Sequence, residues 1–332
     1  MALDHRLRQN LTLPAICAPM FLVSGPQLVT EACKAGIVGA LPRQNARGIE
    51  VFDAWLRAIR EELDVYSETN PTARVGPLAV NLATFLDEDE LAENLGVCER
   101  YGVEIIISAT GNPATLARRV HDMGRVIFHD VTTIRFAEKA IAGGVDGLTC
   151  IGAGGGGHSG TISHLVLIPK IRSMFDGVIV MAGAVSNGAV IRAAEILGAD
   201  LSYLGTRFIA TRESMAADEY KAMILRASST DLLYTPDIAG VGANWMTESM
   251  TTVGLDPSAL PKPAVAGKIN HTHLPDGVKP WKNLWSAGQG IDLIDDIPTV
   301  AELVARLRRE YIAACRTPDM ADVARLVDEA LA

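Results

Sequence analysis

The chain has 332 residues, with 30 basic and 39 acidic side chains and a formal net charge of −9. This length fits two average domains or one α/β barrel with an addition, since such barrels commonly have about 250 residues. The acidic balance, with no offsetting cluster of lysine and arginine, argues against a nucleic-acid-binding surface. The apolar runs are short and no apolar stretch follows the first basic residues, so we expect neither a membrane-spanning helix nor a secretion signal.

Five cysteines are scattered through the sequence, and none has the CxxC spacing typical of a metal or redox site. An odd number without paired spacing predicts reduced thiols in a cytoplasmic protein, with neither disulfides nor bound zinc. We therefore expect all five to be small core residues, namely Cys17, Cys33, Cys98, Cys150 and Cys315.

Eight short apolar runs alternate with stretches of helical periodicity. The runs span residues 14–18, 37–41, 76–81, 104–108, 125–129, 147–151, 178–182 and 201–204, and helical stretches between them include 51–59, 91–101, 134–142 and 190–197. Near-continuous apolar runs are typical of parallel strands buried on both faces. Eight strands, seven intervening helices and a further helical stretch after Glu213 predict a (β/α)8 TIM barrel, with a doubly wound open sheet as the main alternative.

After the eighth unit the composition changes. Residues 229–282 lack strong periodicity and are rich in Pro, Gly, Asn, Thr and Met, with Trp245 inside the segment and Trp281 near its end. Long segments of this kind often form a lid, so we predict an irregular substrate cap over 229–282. The barrel would then comprise 1–228 and 283–332, closing with amphipathic helices at 297–307 and 321–331 on its exterior.

The most distinctive segment is the glycine-rich run 152–160, which directly follows the sixth strand and contains His158. It includes the G-x-G-x-x-G pattern of dinucleotide-binding folds, but a polar turn follows where that fold needs a helix. Glycines also permit a backbone to lie against a flat ring, and a histidine held there suits proton abstraction next to a flavin. The alternative is a surface loop with an incidental histidine. The position at the end of a barrel strand favours catalysis.

Two further turns follow the seventh and eighth strands, at 183–188 (GAVSNG) and 205–208 (GTRF). In barrels, phosphates commonly lie on the loops after these two strands, where free N–H groups attract an anion. Either turn alone would be no more than a tight connection between a strand and a helix. Together, at these two strand ends, they predict a phosphate site.

Seven segments resemble the nitronate monooxygenase (2-nitropropane dioxygenase) family of FMN-dependent barrels, and they cover nearly the whole predicted barrel. The segments are 18–20 (APM), 80–81 (VN), 111–113 (GNP), 156–160 (GGHSG), 182–183 (AG), 205–208 (GTRF) and 285–290 (WSAGQG). GGHSG and GTRF are the most specific. The resemblance implies FMN held without a covalent link, and a loop histidine that deprotonates the carbon beside a nitro group. Electrons then pass from the nitronate to the flavin and finally to O2.

The resemblance also assigns roles to residues at matching positions. His158 would be the catalytic base, and Gly183, Gly205 and Thr206 would hold the phosphate. The other contacts that it implies for the flavin are Ala18, Pro19, Met20, Asn81, Asp130, Gly157 and Gln289.

One position departs from the family pattern. Some relatives have a lysine after the histidine that ends the fifth strand, whereas this chain has His129 followed by Asp130. A carboxylate there would oppose an anionic reduced flavin unless His129 or water compensates for its charge. The alternative is that Asp130 turns away and caps the helix that follows.

The same scaffold and loop also resemble flavin-dependent enoyl-acyl-carrier reductases, NADH:quinone reductases and dehydrogenases of CoA-linked steroid ring fragments. Nitronate oxidation is our first hypothesis, and redox chemistry on a CoA thioester or an enone is the second. A flavin-binding module without catalysis would keep the phosphate turns but would not need His158. We expect as partners a small-molecule substrate and O2 or another electron acceptor, a homodimer as the candidate assembly, and no nucleic acid or membrane.

Overall fold

Eight parallel strands form a closed barrel, which confirms the TIM barrel and excludes the open sheet. The computed structural model describes residues 3–265, 267, 269–316 and 320–331, and the side chains within these ranges except for 320–322. The barrel strands are β1 (Ala15–Cys17), β2 (Val38–Pro42), β3 (Leu78–Ala83), β4 (Ile105–Ala109), β5 (Val126–Val131), β6 (Gly147–Ile151), β8 (Val178–Ala182) and β9 (Leu201–Leu204). The barrel closes where β9 pairs with β1.

Helices connect successive barrel strands, and further helices precede β1 or follow β9. They are α1 (His5–Arg8), α2 (Pro26–Lys34), α3 (Ile49–Thr69), α4 (Glu88–Arg100), α5 (Ala114–Asp122), α6 (Ile134–Ala142), α7 (His164–Arg172), α8 (Gly188–Leu197), α9 (Thr206–Ile209), α10 (Asp218–Arg226), α11 (Thr247–Thr252), α12 (Val300–Cys315) and α13 (Met320–Leu331). Side chains that cap the first turn fix several starts. Asp87 and Thr299 form capping boxes at α4 and α12.

The barrel has two separate cores because strand side chains alternate between its inside and its outside. The interior is filled by residues such as Ile16, Ile107, Phe128 and Val180. A larger core lies between the strands and the helices, where Phe52 and Leu56 are fully buried. Helix α12 packs on α8 and α2 at the barrel exterior, as expected.

The segment 229–282 is more regular than the sequence indicates. It contains an antiparallel pair, β10 (Leu232–Thr235) and β11 (Ala243–Met246), together with α11. Strand β11 also pairs with β7 (Gly157–His158), so the segment shares a three-stranded sheet with the glycine-rich loop. Trp245 is fully buried in a small apolar core of its own. Hereafter we call residues 229–282 the cap segment.

Two other expectations concern composition. Four cysteines are buried and free, as predicted, but Cys315 is exposed at the end of α12, so the prediction of a core position was wrong there. No helix in the described ranges is long and apolar enough to cross a membrane.

Candidate active site

A cavity of about 1970 Å³ opens at the carboxyl ends of the barrel strands. Residues that follow almost every barrel strand line it, together with parts of the cap segment. The structure brings ten of the eleven predicted site residues into its wall: Ala18, Pro19, Met20, Asn81, Asp130, Gly157, His158, Gly183, Gly205 and Thr206.

Gln289 is the exception. Its side chain is exposed and does not line the cavity, whereas its backbone N–H donates to the Gly154 carbonyl. The neighbouring residues Gly288 and Gly290 line the cavity instead. At positions 288–290 the lining is therefore made by the two glycines and not by the glutamine side chain.

One side of the cavity is built from glycine backbone. A Cβ on Gly183 would lie 2.6 Å from the Gly155 nitrogen, and one on Gly156 would lie 2.8 Å from the Gly288 nitrogen. Gly183 also has φ +111°, a conformation that favours glycine. Three chain segments, after β6, after β8 and at 286–290, thus meet at distances that only glycine permits. We call this surface, formed by residues 154–157, 183–186, 205–206 and 286–290, the glycine wall.

The turn after β9 contributes a hydroxyl to this wall. Thr206 Oγ1 accepts a hydrogen bond from the Gly288 N–H at 2.9 Å, which leaves its own proton free to donate. Arg207 is buried and does not reach the cavity, because its guanidinium group pairs with Asp296 at 2.9 Å. The arginine of GTRF therefore fastens the C-terminal segment to the barrel.

The turn after β8 differs from the predicted phosphate site in one respect, because two N–H groups at the start of α8 already have partners. The first N–H of α8, on Gly188, donates to Glu310 Oε2 at 2.8 Å, and Asn187 caps the Val190 N–H. These two donors at the helix N-terminus are thus used within the protein. Anion binding on this side would rely on the turn 183–186 and on residues 205–206.

His158 lies above the glycine wall on β7. Its Nε2 atom is buried and has no hydrogen-bond partner among the described residues, although the residue lines the cavity. The Trp281 and His158 rings make a T-shaped contact, with centroids 5.2 Å apart. Burial lowers the pKa of His158, and the nearby His271 lowers it further. The imidazole is therefore neutral near pH 7, with a nitrogen available to accept a proton.

Two residues of the cap segment contact the glycine-rich loop, and no sequence motif predicted a role for either. Asn244 is buried, and its Nδ2 donates to the Gly155 carbonyl at 2.6 Å and to Ser159 Oγ at 3.2 Å. Trp281 adopts a left-handed backbone conformation with φ 61°, which is strained for a bulky residue. The glycine-rich run 239–244, which ends in Asn244, is the one local sequence signal that points to this residue.

The floor of the cavity is polar. Asp130 lines it and pairs in register with Thr149 of β6, while Tyr203 of β9 also lines it. Asp130 Oδ1 and the Tyr203 hydroxyl are buried without a partner in the described part of the chain. Burial raises the pKa of Asp130 to about 7, with Thr149 acting weakly in the opposite direction. The carboxyl group is therefore partly protonated at neutral pH, which reduces the charge conflict expected from the sequence.

The alternative role for Asp130, as a helix cap, was wrong. The side chain of Thr133 caps α6 by accepting from the Phe136 N–H at 3.2 Å, and Asp130 is still within β5. Nor does His129 supply a compensating positive charge. Its Nδ1 lies 2.8 Å from Ser108 Oγ, and burial lowers its pKa to about 4, so the ring is neutral.

Comparisons with known proteins agree with this geometry. The sequence profile of the family described as "Nitronate monooxygenase" matches residues 7–310. A nitronate monooxygenase from Paraburkholderia phytofirmans is 28% identical over 352 aligned positions, which cover 90% of this chain and 92% of that protein. A (3aS,4S,5R,7aS)-5-hydroxy-7a-methyl-1-oxo-octahydro-1H-indene-4-carboxyl-CoA dehydrogenase from Mycobacterium tuberculosis is 26% identical, with 71% of this chain and 65% of that protein covered.

Two solved structures share the fold. A nitroalkane oxidase from Streptomyces ansochromogenes superposes with a TM-score of 0.75 at 22% identity, covering 93% of this chain and 98% of that one. FabK from Thermotoga maritima gives a TM-score of 0.72 at 21% identity, with 94% and 97% covered. The profile match spans all eight barrel strands, the glycine-rich loop and the turns after β8 and β9. This chain belongs to the nitronate monooxygenase family.

Proposed function

We propose that this protein is an FMN-dependent nitronate monooxygenase that oxidises nitronates and nitroalkanes with O2. The observation that carries the proposal is His158, a neutral and buried imidazole in a cavity backed by glycine, whose Nε2 has no hydrogen-bond partner among the residues that the structure describes. General bases of this kind accept a proton from a carbon acid held within hydrogen-bond reach.

The residues present fit FMN. The glycine wall lets peptide groups approach a phosphate closely, as the crowding at Gly156 and Gly183 indicates. Gly183, Gly205 and Thr206 would hold the phosphate. The ring would lie against the remaining predicted contacts, which are Ala18, Pro19, Met20, Asn81, Asp130 and Gly157. When bound, FMN supplies an acceptor for the two electrons of the substrate and a donor to O2.

The residues of the chain account for the proton step. His158 removes the proton from the carbon next to the nitro group, and the electron pair of the broken C–H bond stays on the substrate as the nitronate. The T-shaped contact with Trp281, a residue of the cap segment, limits the rotation of the imidazole. Holding a base in one orientation removes an entropic cost from proton transfer.

The cap segment, in this proposal, forms the roof of the substrate site. Trp281, His271 and Tyr234 of this segment line the cavity, and β11 pairs with the strand that carries His158. The barrel, 1–228 and 283–332, would hold the flavin, and the cap segment would position the substrate and the base.

A cofactor extraction and an anaerobic reduction assay test the proposal. We expect the purified protein to release about one FMN per chain on denaturation, and nitroethane or its nitronate to bleach the flavin absorbance. Stoichiometric FAD would contradict the cofactor assignment. Bleaching by NADH or by an acyl-CoA, with no response to either nitro form, would contradict nitronate oxidation.

A second candidate function is redox chemistry on a CoA thioester or an enone. The size of the cavity favours it, since about 1970 Å³ exceeds the range of roughly 300–1,000 Å³ typical of a site for one small ligand. In that reaction His158 would serve as the acid or base. The reduction assay separates this candidate, and NADH:quinone reduction, from nitronate oxidation.

A further inference from the structure

The cavity mouth has two chemically different sides. In the closed barrel, β3 and β4 lie across from β8 and β9, whose turns form part of the glycine wall. The loop after β3 carries Phe85, the loop after β4 carries Pro113, and the helix after β5 carries Phe136, and all three line the cavity. The side opposite the glycine wall therefore includes three apolar side chains, beside polar ones such as Asn112 and Thr133.

Helix α6 presents one face to the cavity. Phe136, Lys139, Ala140 and Gly143 line it, at the spacing of three, four and seven residues that places side chains on one face of a helix. This face meets the start of α5, because a Cβ on Gly143 would lie 3.0 Å from Pro113 Cγ. We call the groove lined by Phe85, Pro113, Phe136, Lys139 and Ala140 the distal groove.

The two phenylalanines of the distal groove are unusually exposed. Phe85 is 77% and Phe136 is 50% exposed, while the next residues on α6 that face away from the groove, Arg135 and Glu138, are charged. Apolar rings gathered at a cavity mouth typically mark a surface that contacts a ligand. The groove thus matches an apolar chain.

The charged groups at the mouth are positive, although the protein as a whole is acidic. Lys139 and the cap residue Lys279 both line the cavity, and neither pairs with an acidic side chain in the part of the chain that the structure describes. Asp130, on the floor, is the one acidic residue in the described lining. The mouth therefore attracts an anion.

We propose that the distal groove binds the apolar chain of an extended anionic substrate, with the anionic end near Lys139 and the reacting carbon near His158. The placement of the reacting carbon rests on the proposed function, whereas binding in the groove does not. An ω-carboxylated nitro compound has this chemistry, because its apolar chain separates the carboxylate from the carbon that carries the nitro group. In an acyl thioester of CoA the apolar chain and the phosphates lie on opposite sides of the thioester, so its acyl chain would fill the groove without bringing an anion to Lys139. The cavity volume of about 1970 Å³ is about twice the upper limit usual for a site that binds one small ligand. It therefore accommodates an extended substrate together with a cofactor.

Binding of unreactive probes to the holoenzyme tests the groove without any turnover. We expect octanoate to bind at least about tenfold more tightly than butanoate, because the longer chain covers apolar surface, and more tightly than octan-1-ol, which lacks the charge. Kd is measured by calorimetry or by perturbation of the flavin spectrum. Equal Kd values for butanoate and octanoate would overturn the proposal.

Four variants connect this binding to the groove. Phe136→Ala should weaken octanoate binding about fivefold to tenfold, and Lys139→Gln about twofold to fivefold. Leu165→Ala and Lys170→Gln on α7 are matched controls, because both residues are exposed and neither lines the cavity. Equal losses in the groove variants and the controls would contradict the proposal. A change of oligomeric state in Phe136→Ala would instead make this surface an interface between copies of the chain.

Substrate assays then separate the two kinds of substrate. A rise in kcat/KM from nitroethane to 8-nitrooctanoate, abolished by Phe136→Ala, supports the groove and the proposed function together. Flavin reduction by octanoyl-CoA that depends on Phe136, with no turnover of nitro compounds, would reject the proposed function and the placement of the anionic end near Lys139. Chain-length independence in both series rejects the groove alone.

Discussion

The glycine wall and the cap segment enclose His158 from two sides, and they are built in different ways. The wall consists of backbone from turns that directly follow barrel strands, and its dimensions depend on missing side chains, as at Gly156 and Gly183. The cap side consists of side chains that come from far along the sequence, since Asn244 bonds to Gly155 and Trp281 packs on His158. In the proposed function the glycine wall would hold the cofactor and the cap segment would position the base, so we expect substitutions on the two sides to have different effects.

The largest effect that we expect distinguishes a glycine of the glycine wall from a glycine that is needed only for its positive φ. Gly183→Ala places a Cβ 2.6 Å from the Gly155 nitrogen, whereas Gly144 has a similarly positive φ of 80° with no heavy atom within 4 Å of a Cβ. We predict at least a hundredfold weaker FMN binding in Gly183→Ala. Gly144→Ala should retain FMN and lose about 1–2 kcal/mol of stability, the usual cost of this backbone conformation.

Titration of the apoprotein with FMN, followed by flavin fluorescence, measures both effects. Similar FMN affinities in the two variants would mean that the glycine wall does not contact the cofactor.

The next effect concerns the cap side. Trp281→Ala removes the ring that packs against His158, so the base loses its fixed orientation. We predict a tenfold to hundredfold lower kcat/KM for neutral nitroalkanes with the flavin retained, since small misplacements of a catalytic group have costs of this order. Trp281→Phe should recover part of the loss.

Trp285→Ala is the matched control for this prediction. Trp285 stacks on Tyr220 with centroids 4.9 Å apart and is not in contact with His158. Equal losses in the two tryptophan variants, or loss of the flavin in Trp281→Ala, would assign Trp281 a general structural role.

The third effect is a pH dependence of stability that arises at Asp130, which lies on the cavity floor. Burial raises the pKa of Asp130 to about 7, whereas a carboxyl in the unfolded chain titrates near 4. Between these values the unfolded chain releases the proton and the folded protein keeps it, so stability falls as the pH rises through this window. The loss is at most about 4 kcal/mol, the equivalent of three pKa units.

Asp130→Asn removes this titration. Urea unfolding from pH 4 to pH 8 should therefore show a shallower decline of stability in the variant than in the wild type. Parallel profiles for the two proteins would show that the Asp130 carboxyl is ionised normally.

Much of the barrel could be predicted from the sequence because its signals are local. The strands β6, β8 and β9 and the helix α6 have the predicted bounds, since continuous apolar runs and glycine-containing links mark their ends. Helix α3 extends to Thr69, beyond the predicted 59, because its last turns are mostly polar and carry a weaker apolar pattern. Most of the predicted site residues lie directly after strands, where topology alone brings them together.

The cap could not be predicted in the same way. Strands β7, β10 and β11 are two to four residues long and show no clear alternation, and their pairing depends on contacts between distant segments. For the same reason no sequence pattern connects Trp281 with His158. Gln289 was predicted from the motif WSAGQG. Two glycines of that motif line the cavity, whereas the Gln289 side chain does not. The local sequence of Phe85 and Phe136 does not indicate that they share one groove.

The central claim is that His158 is the base in nitroalkane oxidation. The most direct test is kcat/KM of wild type and His158→Asn for nitroethane and for its pre-formed nitronate, across roughly pH 5 to 9. We predict a loss of about 10²–10⁴-fold for nitroethane, and a loss below about tenfold for the nitronate, which is already deprotonated. In the wild type, activity on nitroethane should rise with pH at a midpoint below 6.5, because burial lowers the pKa of His158 and only its neutral form accepts a proton. Equal losses for the two substrate forms would contradict the account.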